Sequence, residues 1–568
     1  MSKRVHNIFF HLHTVSSIVI SVGLFVIFFA GAFTLFYHPI INWEQGAPAG
    51  KGNTNASVYK TDYNQVMDSL AAKGYDMYGR SMYTNEKHPG RFQTFYVYGS
   101  VDTLANEKAQ QSFNLVLDKE TYQIKEEKQQ EGLGDLLYEL HFFYQLGQYG
   151  YYLSGLVSLF FLFALVTGIV VHWKKIVSNF FVFRPKTQIK TVWTDAHTAL
   201  GVIGIPFQFL YALTGSMFGL GIVIGLVGSI AHDGDMDKFY DVLYGEEHRK
   251  IPLGEKMDVT TFDYNAYKEK AENRWTGFKT EYLSFRNLGS TSQQFSLSGS
   301  GEIKDNFLSS GEVVYNMHTG KVLHEHDPTH TEYNDAVWGA VFRLHYAEFG
   351  NIETLSHYLI KTLYFLMAIL TGFVIISGVL IWLTARNKKN IPEKRRKYNE
   401  GVGHIYLAVC LTLLPITAIS FIVTRLIPES LLEHKESIIN YVFFLGWLML
   451  SLFFWRRKDN YLTNKFALLS TGYIGLTIPV FNGLSSGNWI WLTYTKDIQL
   501  FVVDLLWFLL SGLCLFIASK IKRREPSDLN KISTISKLME EEKYKSSSRL
   551  QKVQNKEPVL AIKPNQIN

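Results

Sequence analysis

Four histidines carry the chemistry that this sequence offers. His13 precedes Gly31 by 18 residues, and His197 precedes Gly215 by the same 18; His141 precedes Gly168 by 27, and His345 precedes Gly372 by the same 27. Two independent spacings agree without adjustment, which marks a duplication. The same registers send His11 onto Asp195, His172 onto Ile376, His357 onto Leu153 and His38 onto Ile222, so only the first four histidines are mirrored. A neutral imidazole is a strong iron ligand, and ionisable groups within apolar spans are costly enough to mark sites. Two histidines from facing helices, walled by apolar and aromatic side chains, suit a bis-histidine b-type haem in a helical bundle. His13 and His197 fall near one membrane face, and His141 and His345 near the other. The arrangement predicts two haem b groups, one at each face, and an electron path between them.

The glycines share in that geometry. Eighteen residues rise roughly 27 Å and complete five turns, so His13 and Gly31 share a helix face, as do His197 and Gly215. A glycine there leaves space for a porphyrin bound at the opposite end. The 27-residue spacing is a half-turn out of phase, which assigns Gly168 and Gly372 to helix packing. His172, beside Trp173, reads as an interfacial anchor, and it is the substitute ligand on the face of His13 and His197.

The elements that position these residues are membrane spans. The 568-residue chain averages a hydropathy of +0.02 with 47% hydrophobic residues, but the apolar residues come in blocks. Ser16–Phe36 and Leu200–Ile230 carry no charge, and about 20 apolar residues cross a bilayer. Eight spans are expected: Ile8–Tyr37, Tyr152–Trp173 (starting as early as Leu136), His197–Ile230, Leu359–Leu383, Ile405–Ile427, Ile438–Trp455, Phe466–Phe481 and Ile498–Ile521. Lys and Arg crowd every second connection, at Lys174–Lys190, Arg386–Lys397, Arg456–Lys458 and Lys520–Arg524. The positive-inside rule then puts those loops and both termini in the cytoplasm. The first span resembles a signal peptide at Ala30-Gly31-Ala32, but it is too long for one and the duplication requires it to stay.

The predicted fold is an α-helical integral membrane bundle of about eight spans with two small α+β outer domains in a duplicated arrangement. Its divisions are span 1 over 1–38, a first outer domain over 39–134, span 2 over 135–175, a basic loop over 176–196 and span 3 over 197–231. A second outer domain over 232–341 and span 4 over 342–384 follow. A basic loop over 385–403, a four-span extension over 404–521 and a mobile cytoplasmic tail over 522–568 complete the chain. Strands are expected at Arg91–Tyr98, Ser112–Leu117 and Tyr122–Glu126, and again at Tyr282–Arg286, Gln293–Ser298, Glu312–Tyr315 and Val322–His326. Thr61–Lys73, capped by Thr61 and ended by Gly74, and Tyr264–Arg274 read as helices preceding them.

Several function classes fall away. The two cysteines, Cys410 and Cys514, lie within spans, which excludes a disulfide framework, a cysteine-held zinc, an iron–sulfur cluster and a cysteine nucleophile. The net charge of +6 is topology, and no basic stripe interleaved with aromatics points to nucleic acid. His324 and His326 would share a strand face and could hold an outer metal; a solvated hairpin is the favoured reading. Trp489-Ile-Trp491 reads as an interfacial belt.

At these residues the sequence resembles the PepSY-associated transmembrane family, which includes ferric-siderophore reductases of bacterial inner membranes. The resemblance rests on His197-Thr-Ala-Leu-Gly201 leading to Leu213-Thr214-Gly215, on Leu140-His141 leading to Val166-Thr167-Gly168, and on Leu344-His345 with Phe349-Gly350 leading to Leu370-Thr371-Gly372 and Trp382. Val313-Val-Tyr-Asn-Met-His-Thr-Gly-Lys-Val322 resembles the closing hairpin of a PepSY module. It covers about residues 5–385 and implies four core spans, two periplasmic PepSY domains and haem held by histidines at these places. The implied activity is electron transfer outward to an iron(III)-siderophore, releasing iron(II), in the bacterial inner membrane. Ser17 departs from the pattern where the third span has Gly201, no flavin-reductase segment is fused on, and the spans from Ile405 onward lie outside it. The implied partners are a ferric chelate, a cytoplasmic or quinol electron donor and the lipid bilayer. The alternative is a non-enzymatic membrane protein whose outer modules bind a peptide, a peptidase or cell-wall material. A transporter also has duplicated halves, but these spans lack a midplane acid or a broken helix.

Overall fold

The fold is that of a computed structural model, which describes residues 2–46, 60–87, 92–127, 131–184, 187, 189–236, 238, 251–301, 310–330, 333–349, 354–388 and 390–523. The expected tail lies outside the described residues from 524 onward. Among the described residues, eight helices are long and apolar enough to cross a membrane. In chain order the helices of interest are α1 (Lys3–Thr34), α2 (Tyr37–Gln45), α3 (Tyr63–Ala72), α4 (Leu133–His141), α5 (Gln148–His172), α6 (Ile189–Gly219), α7 (Gly221–Ala231), α8 (Tyr264–Glu272), α9 (Tyr333–Tyr346), α10 (Leu355–Arg386), α11 (Glu393–Leu426), α12 (Lys435–Arg457), α13 (Asn460–Ser486) and α14 (Ile498–Lys520). Helices α1, α5, α6 and α10 close a four-membered ring, each packing on the next. Helices α11–α14 form a second group, in which α11 leans on α10 and α1 while α14 packs on α2.

Three expected spans are interrupted. The second does not run on from Leu136: α4 stops at His141, and Phe143 (φ 60°) and Gly147 (φ 61°) turn the chain through left-handed backbone before α5 begins, which no right-handed helix continues through. The fourth breaks likewise, at Ala347 (φ 53°), so His345 belongs to the short helix α9 and not to the long span α10. The third stops at Gly219, and α7 follows it as a separate helix after Leu220. His141 and His345 therefore each lie at the end of a short helix that precedes a span.

The strands of the two expected outer domains form one sheet, not two. Strands β1 (Met82–Asn85), β2 (Phe92–Val97), β3 (Phe113–Asp118), β4 (Gln123–Glu127), β5 (Phe278–Arg286), β6 (Gln294–Gly301), β7 (Ser310–Asn316) and β8 (Val322–His326) lie in the order β4-β3-β2-β1-β5-β6-β7-β8. The halves join by the antiparallel pairing of β1 with β5, Tyr83 opposite Ser284. Four-residue β1 escapes pattern reading because it is too short to show alternation. Period-2 burial puts Phe95, Leu117, Leu283, Phe285, Phe295 and Leu297 on one face, where Val66 and Met67 of α3 and Tyr264 of α8 cover them in one core.

The two covering helices are cross-tied. Asp62, rather than Thr61, caps α3 by accepting from Gln65 N–H at 3.0 Å, and Asp263 caps α8 in the same way from Ala266. Asn265 Oδ1 accepts from Tyr63 N–H at 2.9 Å while Asn64 Oδ1 accepts from Tyr264 N–H at 2.8 Å. Asn64 then donates to Asp263 (2.8 Å) and Asn265 to Asp62 (2.7 Å). The exchange is reciprocal, as a two-fold relation between the halves demands. Its sequence signal is the tripeptide Asp-Tyr-Asn at 62–64 and 263–265.

Candidate functional site

Two of the histidines meet at the end of the bundle nearer the sheet. His141 and His345 have ring centres 6.0 Å apart with planes inclined at 51°, and both line one cavity between α1, α4, α5, α6, α9 and α10. The cavity holds about 270 Å³ and opens to the surface, just under the roughly 300–1,000 Å³ of small-molecule sites. Leu24, Phe28, Phe161, Phe207 and Phe218 make its walls apolar, and Tyr138, Tyr151 and Tyr346 also line it. Gly155 and Gly219 let α5 and α6 touch backbone to backbone, since a Cβ on Gly155 would lie 2.5 Å from the Gly219 carbonyl carbon.

Hydrogen bonding fixes which nitrogen each ring offers. His141 Nδ1 lies 2.8 Å from the Ile27 carbonyl. A carbonyl only accepts, so Nδ1 carries the proton and Nε2 keeps its lone pair. His345 Nδ1 lies 2.8 Å from Thr214 Oγ1. That hydroxyl donates to the Leu210 carbonyl at 2.8 Å, so it accepts from His345 and leaves Nε2 bare as well. Tyr211 O–H donates to the His345 carbonyl at 2.7 Å and fixes the backbone behind the ring. Gly31 makes room for this arrangement: a Cβ there would lie 2.6 Å from His141 Nδ1. The glycine that the sequence assigns to porphyrin space is needed by the imidazole itself.

The other pair repeats the pattern at the far end of the bundle. His13 on α1 donates from Nδ1 to the Ala164 carbonyl of α5 at 2.8 Å. His197 on α6 donates to the Val374 carbonyl of α10 at 3.0 Å, with Ser377 Oγ 3.1 Å away. All four mirrored histidines therefore present Nε2 and spend Nδ1–H on the protein, the arrangement that orients imidazole ligands in metal sites. Gly168 abuts His13, where a Cβ would lie 3.1 Å from Cε1, so it accommodates a histidine and not only a neighbouring helix. Gly372 does serve packing, against Phe25 of α1. His172 is half-buried and within electrostatic reach of His13 and His197, which keeps it beside that pair.

Along α1, the 14 residues from His13 to Ile27 rise roughly 21 Å. Between the two pairs, Phe28 packs on Phe161 (5.4 Å) and Phe207 (6.4 Å), and Phe207 on Tyr211 (4.5 Å), whose ring lies 5.0 Å from His345.

The residues at this end that would hold a haem iron are His141 and His345, whose ring centres lie 6.0 Å apart and whose Nε2 atoms are left unspent by their hydrogen bonds. Only two protein ligands are needed when a porphyrin supplies the other four, and a flat apolar group suits these walls. The residues present thus fit a bis-histidine haem at the outer end. On the sheet, His324 and His326 share a face of β8, opposite Val314 and Glu312 of β7. Glu325 points the other way, to Arg274. Among the described residues, no group of three or more His, Cys, Asp or Glu side chains is placed to hold a metal ion.

The model of the family described as the PepSY-associated TM region matches residues 10–385, well over half of the chain, and the chain belongs to that family. No curated relative matches it.

Proposed function

We propose that this multi-pass membrane protein of the PepSY-associated TM region family is a transmembrane haem oxidoreductase. In this reading two haem b groups are held by His13 with His197 and by His141 with His345. The observation that carries the reading is the set of four Nε2 lone pairs, two of them on rings 6.0 Å apart across an apolar cavity. Haem iron supplies reversible one-electron chemistry, and the protein supplies its place and potential.

The chain's own residues then divide the work. Ile27, Ala164 and Val374 carbonyls and the Thr214 hydroxyl hold each imidazole in one tautomer and one orientation. Phe28, Phe161 and Phe207 line the cavity beside the His141–His345 pair with apolar ring surface. The joined outer sheet corresponds to two PepSY modules on the periplasmic side, with the basic loops and both chain ends in the cytoplasm. Electrons from a cytoplasmic or quinol donor leave at the outer pair for an acceptor held beneath the sheet. An iron(III)-siderophore is the favoured acceptor, because hard oxygen ligands hold iron(III) better than iron(II), so reduction loosens the metal.

The test is vectorial transfer. Protein reconstituted into vesicles with a trapped reductant is expected to form iron(II) from an external ferric chelate, read by an impermeant iron(II) dye. Dye formation no faster than in protein-free vesicles would overturn the reductase reading.

A further inference from the structure

The duplication is broken at one place beside the outer pair. The register that maps His141 onto His345 maps Tyr144 onto Glu348, Leu153 onto His357 and Val157 onto Lys361. The second half alone therefore carries these ionisable groups. Glu348 lies in the turn after His345, its N–H donating to the Arg343 carbonyl at 3.0 Å. Lys361 is 5% exposed on α10 and faces Glu348 electrostatically. Lys87, just past β1, pairs with Glu348 and also with Glu281 of β5 at 3.5 Å. His357 donates from Nδ1 to the Phe349 carbonyl at 2.9 Å. The segment that carries His345 is thus tied to α6 through Tyr211, to α10 through His357, and to the two central strands of the sheet through Lys87.

Burying charges is expensive, and of the two matching turns only the one after His345 carries a carboxylate. The other half closes the same turn with Tyr144 and no charge. Burial raises the Glu348 carboxyl, but Lys87 and Lys361 outweigh it and hold the group below its ordinary value, so it is ionised at neutral pH. Glu348 follows His345 by three residues, at most about 10 Å of chain, and lies within electrostatic reach of Tyr346, whose ring is 5.3 Å from that of His345.

We infer that Glu348, with Lys87 and Lys361, is a positioning cluster that sets the reduction potential of the outer centre, and that Lys87 makes this potential answer to the outer sheet. The inference rests on the haem reading. One electron passing from the inner to the outer centre makes the outer site one unit more negative. Glu348 opposes that change, and the two lysines favour it. Because Lys87 is anchored on β1 and β5, a ligand that shifts the central strands shifts the charge balance beside His345.

The test is a potentiometric titration of full-length protein in detergent, followed at the haem α band. The outer component is identified as the one lost in His345→Ala. Lys87→Met is expected to lower the outer potential and Glu348→Gln to raise it. The double variant is expected to return close to the starting value, Lys87→Arg to match it, and the inner component to stay fixed throughout. Lys361→Met, expected to lower the outer potential, provides an independent arm should Glu348→Gln not hold haem. Shifts of the same sign in Lys87→Met and Glu348→Gln, or no shift with haem retained, would overturn this inference and leave the haem reading standing. Wild-type protein without haem would overturn both.

Discussion

An imidazole offers a lone pair in a defined direction only when its other nitrogen is engaged, and that condition is met four times here. The acceptors differ: three are helix carbonyls and one is a threonine hydroxyl. The spacing of the histidines made them legible, because a duplication leaves arithmetic in the sequence. Their acceptors were not legible, since a backbone carbonyl such as that of Ile27 has no residue signature. Two consequences belong at this scale. His13→Ala and His345→Ala are each expected to remove about half of the haem, because each empties one of two sites; pyridine-haemochrome assay of purified protein measures it. Gly31→Ala leaves every ligand in place, yet its Cβ would collide with the His141 ring at 2.6 Å. It is expected to lose the outer haem selectively, and unchanged haem content would show that the ring has room elsewhere.

The elements explain why single residues hold such positions. Helices α4 and α9 are followed by left-handed residues, Phe143 and Ala347, so each of these two histidines sits on a short helix separate from the long span that follows it. Hydropathy reads the interrupted segments as continuous because Phe and Ala carry no break signal; only the conformation does. The sheet was legible in seven of its eight strands, β1 being the exception, but not in its joining, because the β1–β5 seam is a contact between residues about 200 apart. The repeated Asp-Tyr-Asn was the available clue. Its two asparagines each satisfy a neighbouring helix's first N–H, so Asn265→Ala leaves a half-buried donor unpaired at the seam. A loss of about 1–3 kcal/mol in the stability of the outer part is expected, seen as faster proteolysis of the sheet while the bundle's haem is retained. Equal sensitivity to protease would mean that the cross-tie does not hold the halves together.

At the scale of the molecule, the four C-terminal spans are joined to the family region through α2. Trp43 donates to Asp504 at 2.9 Å, Asn482 donates to the other oxygen at 3.0 Å, and the Arg425 guanidinium lies 4.3 Å over the Trp43 ring. One residue on, Glu44 accepts from Leu133 N–H at 2.8 Å and lies 3.9 Å from Lys435, so it links α2 to both α4 and α12. Burial pushes its carboxyl up to about 7, against the opposing pull of Lys435. A carboxyl raised on folding stabilises the fold fully below its unfolded value and loses that contribution as pH rises through its folded value. The junction is therefore expected to weaken between roughly pH 4.5 and 7, and Glu44→Gln is expected to flatten that part of the thermal-unfolding profile in detergent. A wild-type profile without slope in this window would remove Glu44 from the account. Nothing in the sequence pattern announced this junction, because Glu44 and Lys435 lie in separate elements of ordinary composition.

The central claim is that two pairs of histidines hold two haems at opposite ends of one bundle. The most direct measurement is a dithionite-reduced minus air-oxidised spectrum of protein purified from its native membrane, with haem quantified against protein. The account expects a split b-type α band and two haems per chain. A featureless difference spectrum with no extractable haem would contradict it and leave the four histidines as structural residues of a binding protein.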